Sequence, residues 1–160
     1  MIHIYYGNGK GKTSSALGLA LRATGAGKSV FFVSFLKDNS SSERNAKSDI
    51  HFYKNPKGVK FLFNMSENEK AQYILWVKKS LFDALSSGAD VIVLDELLDV
   101  TALLSEKEIS SIAFEEEKEY VITGHIKNDF LFEKADYITH FEKERHPFDK
   151  GISARKGIEF

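Results

Sequence analysis

Seven residues constrain this chain more than any others: Gly7-Asn8-Gly9-Lys10-Gly11-Lys12-Thr13. They stand between a β-like run, Ile2-His3-Ile4-Tyr5-Tyr6, and an Ala/Leu-rich run from Ser14 to about Thr24. A glycine-rich loop that leaves a strand and enters a helix is the context of a phosphate site. Glycines let the backbone curl with its N–H groups facing inward, and the helix adds unpaired N–H groups and the positive end of its dipole. The candidate phosphate-binding residues are therefore Gly7, Asn8, Gly9, Lys10, Gly11, Lys12, Thr13 and Ser14. Lys12 would reach the outer phosphates as a point charge, and Thr13 would offer its hydroxyl to Mg²⁺ or Mn²⁺. The strict pattern has a further glycine where this chain has Tyr6.

The helix after the loop carries Ala16, Leu17, Leu19, Ala20, Leu21 and Ala23, so it is expected to be nearly covered, with Gly18 marking a close approach to a strand. Its one charge, Arg22, is either solvated or a nucleotide contact. Val30 to Leu36 is a continuous apolar run, suited to a parallel strand buried on both faces. The polar, serine-rich stretch from Lys37 to Asp49 reads as a surface loop. It follows the C-terminal end of a strand, where α/β sheets bind ligands. Ile50 to Tyr53 reads as a short strand and Val59 to Phe63 as a second extended piece. Ser66 and Glu69 form a capping box for a helix running to Ser87, stopped by Gly88. The expected inward face of that helix is Ala71, Ile74, Leu75, Leu81, Phe82 and Leu85.

Asp90-Val91-Ile92-Val93-Leu94-Asp95-Glu96 is the second landmark. Four apolar residues ending in two carboxylates read as a buried strand that delivers acids at its tip. Alone, that tip is a solvated acidic turn; beside a phosphate loop it completes a Mg²⁺ site from Thr13, Asp95 and Glu96. Ser105 and Glu108 cap a helix expected to reach about Phe114, with Ile109, Ile112 and Ala113 inward and Glu115, Glu116, Glu117 and Glu119 as its solvated end. Tyr120 to Thr123 is a strand ended by Gly124-His125; His125 is a substrate contact or a turn residue. A short helix from Asn128 to Lys134 and a strand from Tyr137 to Phe141 follow, and the polar tail from Lys143 is expected to be loosely ordered. Strands alternate with helices throughout. The expected fold is α/β, a P-loop NTPase-like, RecA-like parallel sheet with helices on both faces in three layers. Residues 1–160 suit a single domain.

Bulk properties narrow the function. A net charge of −1 gives no hint of a nucleic-acid partner. No apolar run approaches the roughly 20 residues of a membrane span, and the N-terminus enters a strand with no signal peptide. With no cysteine, thiolate nucleophiles and cysteine metal sites are excluded. A cytoplasmic protein is expected.

The tail narrows it further. His146-Pro147-Phe148-Asp149-Lys150-Gly151-Ile152-Ser153-Ala154-Arg155-Lys156-Gly157-Ile158-Glu159-Phe160 resembles the C-terminal signature of the P-loop ATP:corrinoid adenosyltransferases. The first loop is similar to that family's Thr-Gly-Asn-Gly-Lys-Gly-Lys-Thr, and Leu19 to Gly25 resembles its "LALRAxG" helix. Phe35-Leu36-Lys37 with Ser42-Glu43-Arg44 resembles its "FxKG…GE" loop, and Val93-Leu94-Asp95-Glu96 its acidic strand.

The resemblance implies transfer of the 5′-deoxyadenosyl group of ATP to the cobalt(I) of a reduced corrinoid substrate, with triphosphate leaving. No protein nucleophile is then needed. It implies that Lys12 and Glu96 act in catalysis, that Asn8 to Thr13 bind phosphates, that Thr13 and Glu96 hold Mg²⁺ with Asp95 nearby, and that Arg22 contacts the nucleoside end. It also implies a homodimer and a flavoprotein reductant. The departures lie on the corrinoid side. The family's aromatic "MGxGFTWxT" loop has no counterpart in Phe63-Asn64-Met65-Ser66-Glu67-Asn68, so Phe61, Phe63 and Tyr53 are the substitutes to consider. Asp38 replaces a glycine after Lys37, and His125 stands where the family has the arginine of "TGR". Two other classes share the ATP half: a binding or regulatory protein that has lost transfer, and a P-loop phosphotransferase or hydrolase.

Overall fold

The computed structural model describes residues 1–58 and 64–159. The extended piece expected at residues 59–63, with Phe61 and Phe63, lies outside them. The order is β1 (Ile2–Tyr6), α1 (Lys12–Gly25), β2 (Val30–Ser34), β3 (Ile50–Phe52), α2 (Glu67–Leu85), β4 (Val91–Asp95), α3 (Leu97–Val100), α4 (Glu106–Ser110), β5 (Glu119–Gly124), α5 (Asp129–Glu133) and β6 (Tyr137–His140). The strands form one six-stranded sheet in the order β3-β2-β4-β5-β1-β6. Every pairing is parallel. The loop strand β1 and the acid strand β4 are not neighbours, because β5 runs between them. Register aligns Tyr6 with Gly124 and Ser34 with Asp95, so the C-terminal tips share one edge.

Alternation divides the core between two faces. Ile2, Ile4, Ile92, Leu94, Tyr120 and Ile122 pack with Tyr73 and Val77 of α2, Leu97 and Leu98 of α3, and Leu131 of α5. Val30, Phe32, Val91, Val93 and Val121 pack with Ala16, Ala20 and Ala23 of α1. Helices thus cover both faces, as expected, but unequally. On the second face α1 approaches through alanines, and its other side is open: Leu21 is 58% exposed, and a Cβ placed on Gly18 meets nothing within 4 Å. The close approach expected at Gly18 does not occur.

The inward face of α2 also differs from expectation. Tyr73, Val77, Ser80, Leu81 and Ala84 are buried, whereas Ala71, Leu75 and Phe82 are exposed, Phe82 by 69%. Two polar groups on the buried face find carbonyls: Tyr73 donates to Phe35 O, and Ser80 to Val77 O at 3.0 Å. Polar side chains can therefore sit on a buried helix face when carbonyls accept from them. Both capping boxes form. The second opens a shorter helix than expected, ending at Ser110 with Ala113 exposed, because the chain must reverse to enter β5. Glu119 is consequently not a helix end. It starts β5, and its carboxylate meets His3 Nε2 at 2.9 Å. Among the described residues no helix is long and apolar enough to cross a membrane.

The exposed mid-helix glycine yields a direct test. Gly18→Ala is expected to stabilise the protein by about 0.5–1 kcal/mol, since alanine restricts the unfolded chain and meets no neighbour. Urea unfolding measures it, and destabilisation would show that something covers this side of α1.

Candidate active site

The site is built at the C-terminal tips of β1, β5, β4 and β2. The glycine loop follows β1 and is held from two directions. Gly7 N–H donates to Gly124 O at 3.1 Å, and Gly9 N–H to Phe141 O at 2.7 Å. A Cβ on Gly7, whose φ is 114°, would overlap Phe141 O, and one on Gly9 would lie 2.7 Å from Glu142 O. These glycines admit the chain that leaves β6 as well as any phosphate. The Lys12 ammonium closes the loop from inside, donating to Gly7 O at 2.7 Å and Gly9 O at 2.9 Å. Burial pulls its pKa down against the opposing pull of Asp99, Asp95 and Glu96.

A buried carboxylate joins the loop to the acid strand. Asp95 is fully buried. Its Oδ1 accepts from Thr13 Oγ1 at 2.9 Å and from Thr123 Oγ1 at 2.8 Å, so the tip of β5 bridges the gap between β1 and β4. Its Oδ2 lies 3.1 Å from Lys37 Nζ. Lys37 also donates to Thr13 Oγ1 at 3.3 Å and stands 3.8 Å from Glu43 Oε1. Burial would lower the lysine's pKa, but Asp95, Glu96 and Glu43 outweigh it and raise it. Glu96 follows with φ 67°, in the left-handed region that a non-glycine residue seldom occupies. Its N–H donates to Thr123 Oγ1 at 2.9 Å, and its Oε2 accepts from Leu36 N–H at 3.2 Å. Burial and then the Asp95 charge push its carboxyl up to about 7, against Lys37 and the Leu36 N–H.

A cavity of about 490 Å³ opens here, lined by Gly9 to Ser14, Lys37, Glu96, Thr123 and His125, with Gly157 to Glu159 of the tail on its rim. Of the residues expected at the site, Gly9, Lys10, Gly11, Lys12, Thr13, Ser14 and Glu96 line it. Gly7 is buried beneath the loop, Asp95 lies behind Thr13, and the Asn8 side chain faces away to accept from Lys143 N–H at 3.0 Å. Arg22 is in the last turn of α1, exposed and outside the cavity. The tail is not loose: it forms a turn at Pro147–Lys150, and Lys10 Nζ donates to Ile158 O at 2.9 Å. Tyr53 is spent in packing, its hydroxyl donating to Asp83 at 2.6 Å and its ring against Phe31 and Trp76.

Sequence reasoning missed four residues. Thr123 bridges the tips. Asp99 accepts from His125 N–H at 2.9 Å and lies 3.1 Å from its Nδ1. Lys37 had no assigned role. Asn55, buried, donates to Ser34 O at 2.9 Å and Lys37 O at 2.7 Å, and so fixes the loop after β2. Lys37 and Thr123 lie in stretches that resemble family motifs, but the role of each comes from position: both sit at strand tips on the edge that carries the glycine loop.

A parallel α/β sheet with a phosphate loop at one strand tip and buried acid at another, one strand apart, defines a P-loop nucleotide-binding protein. The family profile described as ATP:corrinoid adenosyltransferase BtuR/CobO/CobP matches residues 1–160. The chain is 33% identical over 177 residues to the corrinoid adenosyltransferase CobA of Salmonella typhimurium, spanning 100% of this chain and 85% of that protein. It is 32% identical over 177 residues to the corrinoid adenosyltransferase of Escherichia coli K12, with the same coverage. It is 31% identical over 170 residues to that of Pseudomonas aeruginosa, spanning 98% of this chain and 82% of that protein. The chain belongs to the ATP:corrinoid adenosyltransferase family.

Glu96 gives a pH prediction. Its carboxyl holds a proton more tightly folded, at about 7, than its ordinary 4.5, so the folded chain binds the extra proton between those values. Stability therefore falls as pH rises through that window. Relative to Glu96→Gln, the wild type without metal or nucleotide is expected to lose at most on the order of 3 kcal/mol from about pH 5 to about pH 8. Parallel pH profiles of denaturant unfolding would show no difference if Glu96 were ionised at both ends.

Proposed function

We propose that this cavity seats the triphosphate of ATP, along Gly9 to Ser14, while the ribose C5′ faces a reduced corrinoid. The protein is a corrinoid adenosyltransferase of cobalamin metabolism, with ATP and corrinoid as substrates. In the reaction, cobalt(I) supplies an electron pair to C5′, the C5′–O bond breaks, and triphosphate leaves with the electrons of that bond. The protein's task is electrostatic: to hold C5′ in line and to stabilise charge gathering on the leaving group. Lys12 and the loop N–H groups face that charge. Asp99 anchors His125 at the cavity wall through its N–H and ring. The observation that carries this reading is the Thr13–Asp95–Thr123 connection, which sets a phosphate loop against a buried acid.

The donor set at the strand tips fits Mg²⁺: a hydroxyl and two carboxylates are hard oxygen ligands. Thr13 and Glu96 would hold it, with Asp95 behind them. When bound, the ion would act as a Lewis acid on the polyphosphate. The reading also includes a homodimer, a cytosolic setting and a reduced flavoprotein as electron source. Arg22 would serve ATP only from outside the cavity.

The test is incubation with ATP, Mg²⁺ and chemically reduced cobalamin. Loss of the cobalt(I) spectrum with release of triphosphate is expected; release of orthophosphate, or no product, would overturn the reading. Lys12→Ala should slow turnover about 100- to 1,000-fold. Glu96→Gln should raise the Mg²⁺ concentration needed for half-maximal rate. On the corrinoid side, with Tyr53 committed to packing, transfer is expected to be faster from chemically made cobalt(I) than from cobalt(II) with reduced flavin. Equal rates would mean that other residues replace the family's aromatic loop.

A further inference from the structure

We propose that Lys37 is a resident cation of the metal position: its ammonium holds the place between Thr13, Asp95 and Glu43 in the nucleotide-free protein, keeps a free divalent ion out, and yields when the metal arrives on ATP. The inference rests on the reading of Thr13, Asp95 and Glu96 as the metal-facing set.

The geometry is that of a bound cation. Lys37 Nζ lies 3.1 Å from Asp95 Oδ2, 3.3 Å from Thr13 Oγ1 and 3.8 Å from Glu43 Oε1. These are oxygens a divalent ion at this place would use or border. The side chain is only 21% exposed, and Asp95 behind it has no solvent access. A buried carboxylate that stays ionised needs a compensating charge, and the Lys37 ammonium stands 3.1 Å from Asp95.

A free ion competes poorly for this place. Among the described residues no group of three or more His, Cys, Asp or Glu side chains is arranged to hold a metal. Mg²⁺ keeps several waters and takes one or two carboxylates together with substrate phosphates. Without nucleotide it would have to expel an ammonium and gain few ligands. Mg²⁺ bound to ATP brings its own phosphate oxygens, and the triphosphate gives the displaced ammonium a new partner in the same cavity.

The lysine can make that move without moving the fold. Its carbonyl is pinned by Asn55 Nδ2 at 2.7 Å, and Asn55 and Asn39 bond each other reciprocally at 2.9 and 2.7 Å. Asp38 holds the following turn, accepting from Ser40 N–H at 2.8 Å. The backbone is fixed while four side-chain bonds remain free to turn.

Mn²⁺ serves as probe, read by electron paramagnetic resonance on nucleotide-free protein, with melting temperature measured in parallel with and without Mg²⁺. The wild type and Lys37→Arg, which keeps the charge, are expected to bind free Mn²⁺ at least tenfold more weakly than Lys37→Gln. Lys37→Gln is expected to melt lower without metal and to gain more from Mg²⁺ alone than the wild type does. Equal Mn²⁺ affinity in wild type and Lys37→Gln, or equal gains from Mg²⁺, would overturn the proposal. If Lys37→Gln fails to fold, Lys37→Arg and wild type decide: tight binding of free Mn²⁺ by either overturns it. The underlying metal reading is tested separately with Mn²⁺-ATP. Wild-type affinity for Mn²⁺-ATP in Glu96→Gln would sink that reading, whereas normal Mn²⁺-ATP loss in Glu96→Gln with unchanged free-ion binding in Lys37→Gln would sink the placeholder alone.

Discussion

The structure depends on one buried carboxylate. Asp95 sits at the tip of a wholly buried strand, with no solvent access, and is held by two threonine hydroxyls and an ammonium from three other elements. Burying an unpaired charge is prohibitive, and removing one partner of a buried pair commonly costs about 3–5 kcal/mol. The three partners are therefore obligatory, and each fixes an element: Thr13 the start of α1, Thr123 the tip of β5, Lys37 the loop after β2. One side chain thus sets the spacing of the strand tips around the cavity.

Glu96 extends that arrangement at a local cost. The chain must turn from β4 into α3 directly after Asp95, and it does so with Glu96 in the left-handed region. Such a conformation costs about 1–3 kcal/mol and persists where surrounding contacts over-determine it. Here those contacts are the Thr123 hydroxyl on its N–H and the Leu36 N–H on its carboxylate. The same turn launches α3, whose Asp99 reaches the N–H and ring of His125. The His125 position therefore has its own built support.

How much was legible follows from the kind of signal each element carries. β1, the glycine loop and β4 were readable because apolar runs and special residues are local. Both capping boxes were readable for the same reason: a serine and a glutamate three positions apart satisfy each other without outside help. The buried face of α2 was not, since Tyr73 and Ser80 are polar in sequence and buried only because carbonyls of Phe35 and Val77 accept from them. Nor was the length of α4, set by the need to deliver Glu119 to the sheet beside His3. At the site, Lys12, Thr13 and Glu96 were marked by motif. Asp99 and Asn55 were not, and the bridging role of Thr123 exists only through strand order: nothing local says that β5 runs between β1 and β4.

Strand order also explains why the loop tolerates so little freedom. Because β1 lies between β5 and β6, the loop is gripped on both sides, by Gly124 O on one and by Phe141 O on the other. A side chain at Gly7 or Gly9 would strike the backbone at Phe141 or Glu142, so the chain leaving β6 dictates glycine there before any phosphate arrives. That chain becomes the tail, which returns to place Ile158 O on Lys10 at the cavity rim. The loop and the end of the chain, far apart in sequence, thus meet at two places: the glycines against Phe141 and Glu142, and Lys10 against Ile158. The shape of the loop is set by that packing as well as by its own residues.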